Sequence, residues 1–229
     1  MATTADRPHK TVHASTVARD TTRVQAFSDG VFAIAITLLI LEIKVPRPAS
    51  PSEPFSLLQS LLGLWPSYFA YVLSFVTIGI YWARHHYIFM LYQRTDYVFK
   101  LLNLLFLMWI SFLPFPTDVL ATYLSDSAHH DPLTQQTAVT FYAIGLFLPA
   151  ASRTLMWLYA SRARRLVDPR LEEGFMRRIT TVYVGTVVLY ASAVLVSLVD
   201  YRLGLAVCVG LTLVYLLPPR APVYVRKSA

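Results

Sequence analysis

Charge is scarce in this chain: charged residues fill 14% of 229 positions, where a soluble domain normally carries about a quarter. Cysteine is scarcer still. Cys208 stands alone in an apolar run, so no internal disulfide can form and its simplest role is a small core residue. No Gly-rich loop is present to cradle a phosphate, and no Ser, His and Asp set carries a nucleophile elbow. Of the thirteen acidic residues, Asp29 sits inside an apolar run and Glu42 near the end of one, while the other eleven are in tails or loops or at a span boundary. The absence of a carboxylate pair within an apolar run weighs against a metallohydrolase, a two-aspartate intramembrane protease and a multi-carboxylate proton pump. His85 and His86 are adjacent, so on a helix they point about 100° apart, poor geometry for a shared metal. His129 and His130 fall in a loop. No metal site and no cofactor are expected.

What is abundant is apolar. Hydrophobic residues make up 55% of the chain and the mean hydropathy is +0.50, the composition of an all-α integral membrane protein. The net charge of +7 would suit a nucleic-acid partner, but the placement of the charges decides otherwise. Six apolar runs, near 24–44, 55–82, 98–123, 137–160, 179–199 and 203–217, read as six transmembrane helices. Sixteen of the twenty Lys and Arg then lie on one face, three on the other, and Arg153 inside the fourth run. The excess sets that face, with both termini, in the cytoplasm. No nucleic-acid partner is expected; lipid is. Residues 1–22 read as a disordered cytoplasmic tail, 23–217 as the membrane domain and 218–229 as a second cytoplasmic tail. Pro66, Pro114, Pro116 and Pro149 mark breaks or kinks. Trp65, Trp82, Trp109 and Trp157 suit interfacial anchors, and Arg153 either snorkels or pairs within the bundle.

The first run, RVQAFSDGVFAIAITLLILEIKV at 23–45, organises the rest. From 24 to 44 it spans roughly 30 Å as a helix, the thickness of the hydrocarbon core. Phe27, Ile34, Leu38, Leu41 and Val45 fall on one stripe with Thr37 at its edge, and Asp29 lies nearly opposite. The stripe serves either helix packing or a lined path. At one membrane depth the topology gathers Arg23, Ser28 and Asp29 from the first helix, Trp82 and His85 from the second, and Asn103 from the third. Hydrogen-bonded together, with Phe27 beside them, they would lock the first helix to its scaffold; Arg23 and His85 are otherwise ordinary juxtamembrane cations.

Arg23 with Phe27, Ser28 and Asp29, then Trp82 and His85, then Asn103 in LLNLLFLMWISFLPF, resemble the transmembrane protein 175 family of potassium channels in its bacterial single-repeat form. The likeness is close over three helices and extends over the rest only in length and spacing. It implies a multi-pass plasma-membrane homotetramer of six-helix subunits, not an enzyme, with the first helix of each lining a central pore for potassium ions. No T-V-G-Y-G filter appears, and residues 200–202 leave the last hairpin no room for one. Carried onto this chain, the pore-lining positions are Ile34, Leu38 and Leu41, with Thr37 beside them, forming apolar rings that a cation passes by shedding water. Glu42 would either concentrate cations at the outer mouth or simply solvate a helix end. The rival classes are a proton-coupled transporter working through Asp29 and His85, and a non-conducting assembly protein.

Overall fold

A computed structural model describes residues 14–48, 55–125, 131–218 and 221–224. Eight helices account for almost all of these residues: α1 (Ala14–Leu38), α2 (Leu57–Gly63), α3 (Trp65–Phe89), α4 (Tyr97–Phe112), α5 (Pro114–Ser125), α6 (Pro132–Ser161), α7 (Glu173–Ser197) and α8 (Tyr201–Tyr215). The starts are written locally. Ser56, Asp96, Asp131 and Asp200 each accept backbone N–H bonds from the first turn of the helix that follows, as N-caps. Pro66 and Pro132 sit in first turns, where a missing N–H costs nothing.

Four helical stretches are long and apolar enough to cross a membrane: Thr21–Glu42, Tyr97–Leu124, Pro132–Arg164 and Glu173–Ser197. The pair α2 and α3, bent by 44° at Leu64, adds a fifth. The sixth expected span is only the 15 residues of α8, about 22 Å, short of a hydrocarbon core. The break anticipated at Pro114 and Pro116 falls at Leu113, between α4 and α5, while Pro149 leaves α6 unbroken. The tail expected over 1–22 is mostly outside the described residues; its end, from Ala14, is already helical and continues into α1.

The central helix is α6, which packs on α4, α5, α7 and α8, while α1 packs on α3 and α4. Arg153 does not snorkel but pairs within the bundle, and among the described residues its partners are tyrosines rather than a carboxylate. It is fully buried, its guanidinium 4.7 to 5.4 Å from the rings of Tyr81, Tyr183 and Tyr215, and it donates to the Tyr215 hydroxyl at 2.8 Å. That cage ties α6 to α3, α7 and α8 through cation–π attraction, which strengthens away from water. Trp157 is no interfacial anchor either. It is wholly buried, with its indole N–H on the Thr180 hydroxyl, because α7 covers that side of α6.

At the end of the bundle that holds 90–96 and 162–172, two loops clasp each other. The Asp168 N–H donates to the Leu91 carbonyl at 2.9 Å, and the Tyr159 hydroxyl to Asp96 at 2.6 Å, with Arg165 3.2 Å from the same carboxylate. Burial pushes the Asp96 carboxyl up, but the Tyr159 hydroxyl, the Phe99 amide, Arg165 and Lys100 outweigh it, so it lies below its ordinary value of 3.8. A depressed carboxylate stabilises the fold fully above its ordinary value and loses that contribution as pH falls through the folded one. The melting midpoint of the wild-type protein should therefore exceed that of Asp96→Asn at neutral pH, and the gap should close below about pH 4.

The α7–α8 hairpin closes over Gly204. A Cβ there would meet the Ser197 Cβ at 2.5 Å and its Cα at 2.7 Å, whereas at Gly185 a Cβ meets nothing within 4 Å. Gly204→Ala should cost about 1–3 kcal/mol, read as a lowered thermal midpoint of purified protein, and Gly185→Ala should not.

Candidate pore helix and its polar anchor

Helix α1 presents two faces. Thr21, Ser28, Phe32 and Leu39 are buried against the bundle, at helical spacings of seven, four and seven. The other face bears the predicted stripe, and it is left open: Phe27, Ile34, Leu38, Leu41 and Val45 are 55%, 59%, 52%, 61% and 77% exposed. Packing within the subunit does not use that stripe. Leu41 and Glu42 stand on a tighter 3₁₀ turn, Leu39–Glu42, that continues α1, and the Lys44 ammonium closes it on the Leu41 carbonyl at 2.9 Å. The exposed Thr37 donates its hydroxyl to the carbonyls of Ala33 and Ile34, so only its oxygen lone pairs remain for anything beside the helix.

The buried face is held by a directional chain of hydrogen bonds. The Ser28 hydroxyl donates to the Val24 carbonyl at 2.9 Å, which leaves its oxygen to accept from the Asn103 amide at 2.9 Å. The Asn103 carbonyl oxygen must then accept from His85 Nε2, again at 2.9 Å. His85 is sealed from solvent among aromatic rings: Phe89 at 4.4 Å, Phe32 at 5.4 Å and Phe106 stacked at 5.5 Å. Beside this chain the Trp82 indole N–H donates to Asp29 at 2.9 Å, and Gln25 bonds to His86 at 3.0 Å. Three helices are thus joined at one depth by groups that lipid would leave unsatisfied.

Of the predicted anchor, Ser28, Asp29, Trp82, His85 and Asn103 are brought together. Arg23 and Phe27 are not: both are exposed, and Arg23 has no ion pair among the described residues. Arg23 lies on a side of α1 that α3 and α4 do not reach. Asp29 and His85 also part ways, each bonded to a different partner. A proton-coupled site would need them to share a proton with water, and His85 has no access to any.

Three participants escaped the sequence. Gln25 precedes Ser28 by three residues, the spacing of helix neighbours, and so offered a signal. His86 is offset from His85 by the 100° that makes a shared metal awkward, and that offset turns it to Gln25. Asp118, on α5, lies with Glu42 on the walls of an apolar cleft of about 420 Å³ that also includes Ile34, Leu38, Phe112 and Phe115. Only folding sets α5 against the end of α1.

Helix α1 thus keeps an exposed apolar face while buried polar groups fasten it to the bundle from behind. Residues 23–114 match the family described as endosomal/lysosomal potassium channel TMEM175. A potassium channel of Chamaesiphon minutus is 41% identical over 88% of this chain and 96% of its own, and one of Streptomyces collinus is 45% identical over 66% and 69%. The crystal structure of a lysosomal potassium-selective channel TMEM175 homologue from Chamaesiphon minutus superposes with a TM-score of 0.71 at 39% identity, covering 86% of this chain and 97% of that one. The chain belongs to the TMEM175 family of ion channels.

Asn103→Leu would strand the His85 N–H and remove the donor to Ser28, two losses inside the bundle at about 1–3 kcal/mol each. Its thermal midpoint in detergent should fall well below that of Gln25→Ala, which removes only the exposed bond.

Proposed function

We propose that the chain is one subunit of a homotetrameric, potassium-selective channel of the cell membrane. Residues 23–217 form the channel domain and the tails 1–22 and 218–229 lie in the cytoplasm, in keeping with the sixteen-to-three bias of basic residues. The α2–α3 pair counts as one span and α8 as a short sixth. One observation carries the reading: Ile34, Leu38 and Leu41 stay open on α1 while the opposite face is fastened by Ser28, Phe32 and Leu39. Around a fourfold axis, each position makes an apolar ring.

Such rings offer no oxygen cage to replace an ion's water, so the cation that sheds water most readily passes best. Potassium holds its shell less tightly than sodium, and a slight narrowing closes the path by dewetting. Thr37 adds an oxygen acceptor beside the constriction. Glu42, with Asp118 on the same cleft, would concentrate cations at the outer mouth, an effect that added salt weakens. Asp29, Trp82, His85 and Asn103 serve the pore by holding α1 at a fixed angle and touch no ion.

Reversal potentials of purified protein in planar bilayers, under potassium and sodium gradients, test the proposal. At least one of Ile34→Ala, Leu38→Ala and Leu41→Ala should raise unitary conductance and lower the potassium preference several-fold. Three variants indistinguishable from wild type would sink the pore assignment. A current that saturates and is driven by a proton gradient would favour the transporter, and no current at all the assembly protein.

A further inference from the structure

On the side of the bundle built from α3, α7 and α8, two cations stand over an apolar slot. Arg84, near the end of α3, donates through Nε and Nη2 to the Tyr215 carbonyl and through Nη2 to the Leu217 carbonyl, at 2.7 to 3.1 Å, and lies 4.4 Å over the Tyr215 ring. It thereby closes the end of α8, and its position is fixed. Arg178, in the second turn of α7, is exposed and has no carboxylate partner among the described residues. Its neighbour Arg177 is different: it is paired with Glu173 at 2.7 Å and faces another part of the surface.

Arg84 and Arg178 line one cleft of about 380 Å³, whose remaining walls include Phe175, Ile179, Val182, Val214 and Leu217. Val182, Val214 and Leu217 are exposed, as is Leu189, two turns further along α7. The cleft therefore runs from unneutralised charge at one end onto open apolar surface. None of the residues lining it belongs to α1 or to its 3₁₀ turn, so it is separate from the stripe assigned to the pore.

We propose that this cleft binds an anionic phospholipid of the leaflet that meets the basic loops, with the phosphate between Arg178 and Arg84 and an acyl chain along Val182 and Val214. A soluble anion would gain nothing from the apolar walls, and a zwitterionic lipid would bring its own cation against two arginines. Paired basic residues between spanning helices suit a lipid phosphate in charge and geometry. The proposal rests on the chain being a membrane protein and not on how it conducts.

Native mass spectrometry of the full-length protein, equilibrated with equal amounts of dioleoyl phosphatidylglycerol and dioleoyl phosphatidylcholine, reads the site directly. Wild type should retain the phosphatidylglycerol preferentially. Arg178→Gln should lower that preference roughly fivefold, what one basic residue at a membrane surface contributes, while Arg178→Lys restores most of it. Val182→Trp, which fills the groove without altering charge, should also lower retention, and Arg177→Gln should not. Equal retention of the two lipids by wild type, an unchanged preference in Arg178→Gln, or an equal loss in Arg177→Gln would overturn the proposal.

Discussion

The architecture depends on four groups in series: the His85 imidazole, the Asn103 amide, the Ser28 hydroxyl and the Val24 carbonyl. Each bond leaves the next oxygen with one role, so the chain has one sense and joins α3, α4 and α1 in one register. In a bilayer, apolar side chains gain little by preferring protein over lipid, and directional polar contacts carry much of the specificity between helices. The rings around His85 exclude water from these bonds, which strengthens them and makes their loss costly. A helix with an open apolar face needs such a fastening, because nothing on that face holds it to its own subunit.

A second polar centre does similar work around Arg153 of α6, one turn along α3 from His85 through Tyr81. Among the described residues Arg153 has no counter-ion, and its charge is spread over three tyrosine rings, the Tyr215 hydroxyl and, through it, the Thr186 hydroxyl. The Tyr215 ring is shared with Arg84, which also caps the carbonyls at the end of α8. A helix of 15 residues is thus fixed at its far end by two arginines and at its near end by the close approach of Gly204 to Ser197. The short α8 owes its place to polar fastening as much as to apolar packing.

Much was legible in the chain before folding. Hydropathy marks the first, third, fourth and fifth spans, since a 20-residue apolar run admits few other readings. The stripe of α1 follows from a period of 3.6 alone. Ser28, Asp29, Trp82, His85 and Asn103 were recognisable as an anchor because polar residues set in apolar runs must find one another. Arg23 stands four residues before Phe27, so the same period already sets it on the side of the stripe, away from Ser28 and Asp29. The sequence could not assign Trp157 or Arg153, whose tryptophan and arginine chemistry serves equally at an interface or within a bundle.

Composition and periodicity by themselves determined that this is a helical membrane protein, where its longer helices run, and which face of α1 is apolar, since those depend on local sums over consecutive residues. Tertiary structure decided which of the two α1 faces is bolted down, that Asp29 and His85 take separate partners, and that Asp118 stands beside Glu42. It also decided that Arg84 and Arg178 share a cleft. Those are relations between residues far apart in the chain, and only the packing of one helix on another gives them a distance.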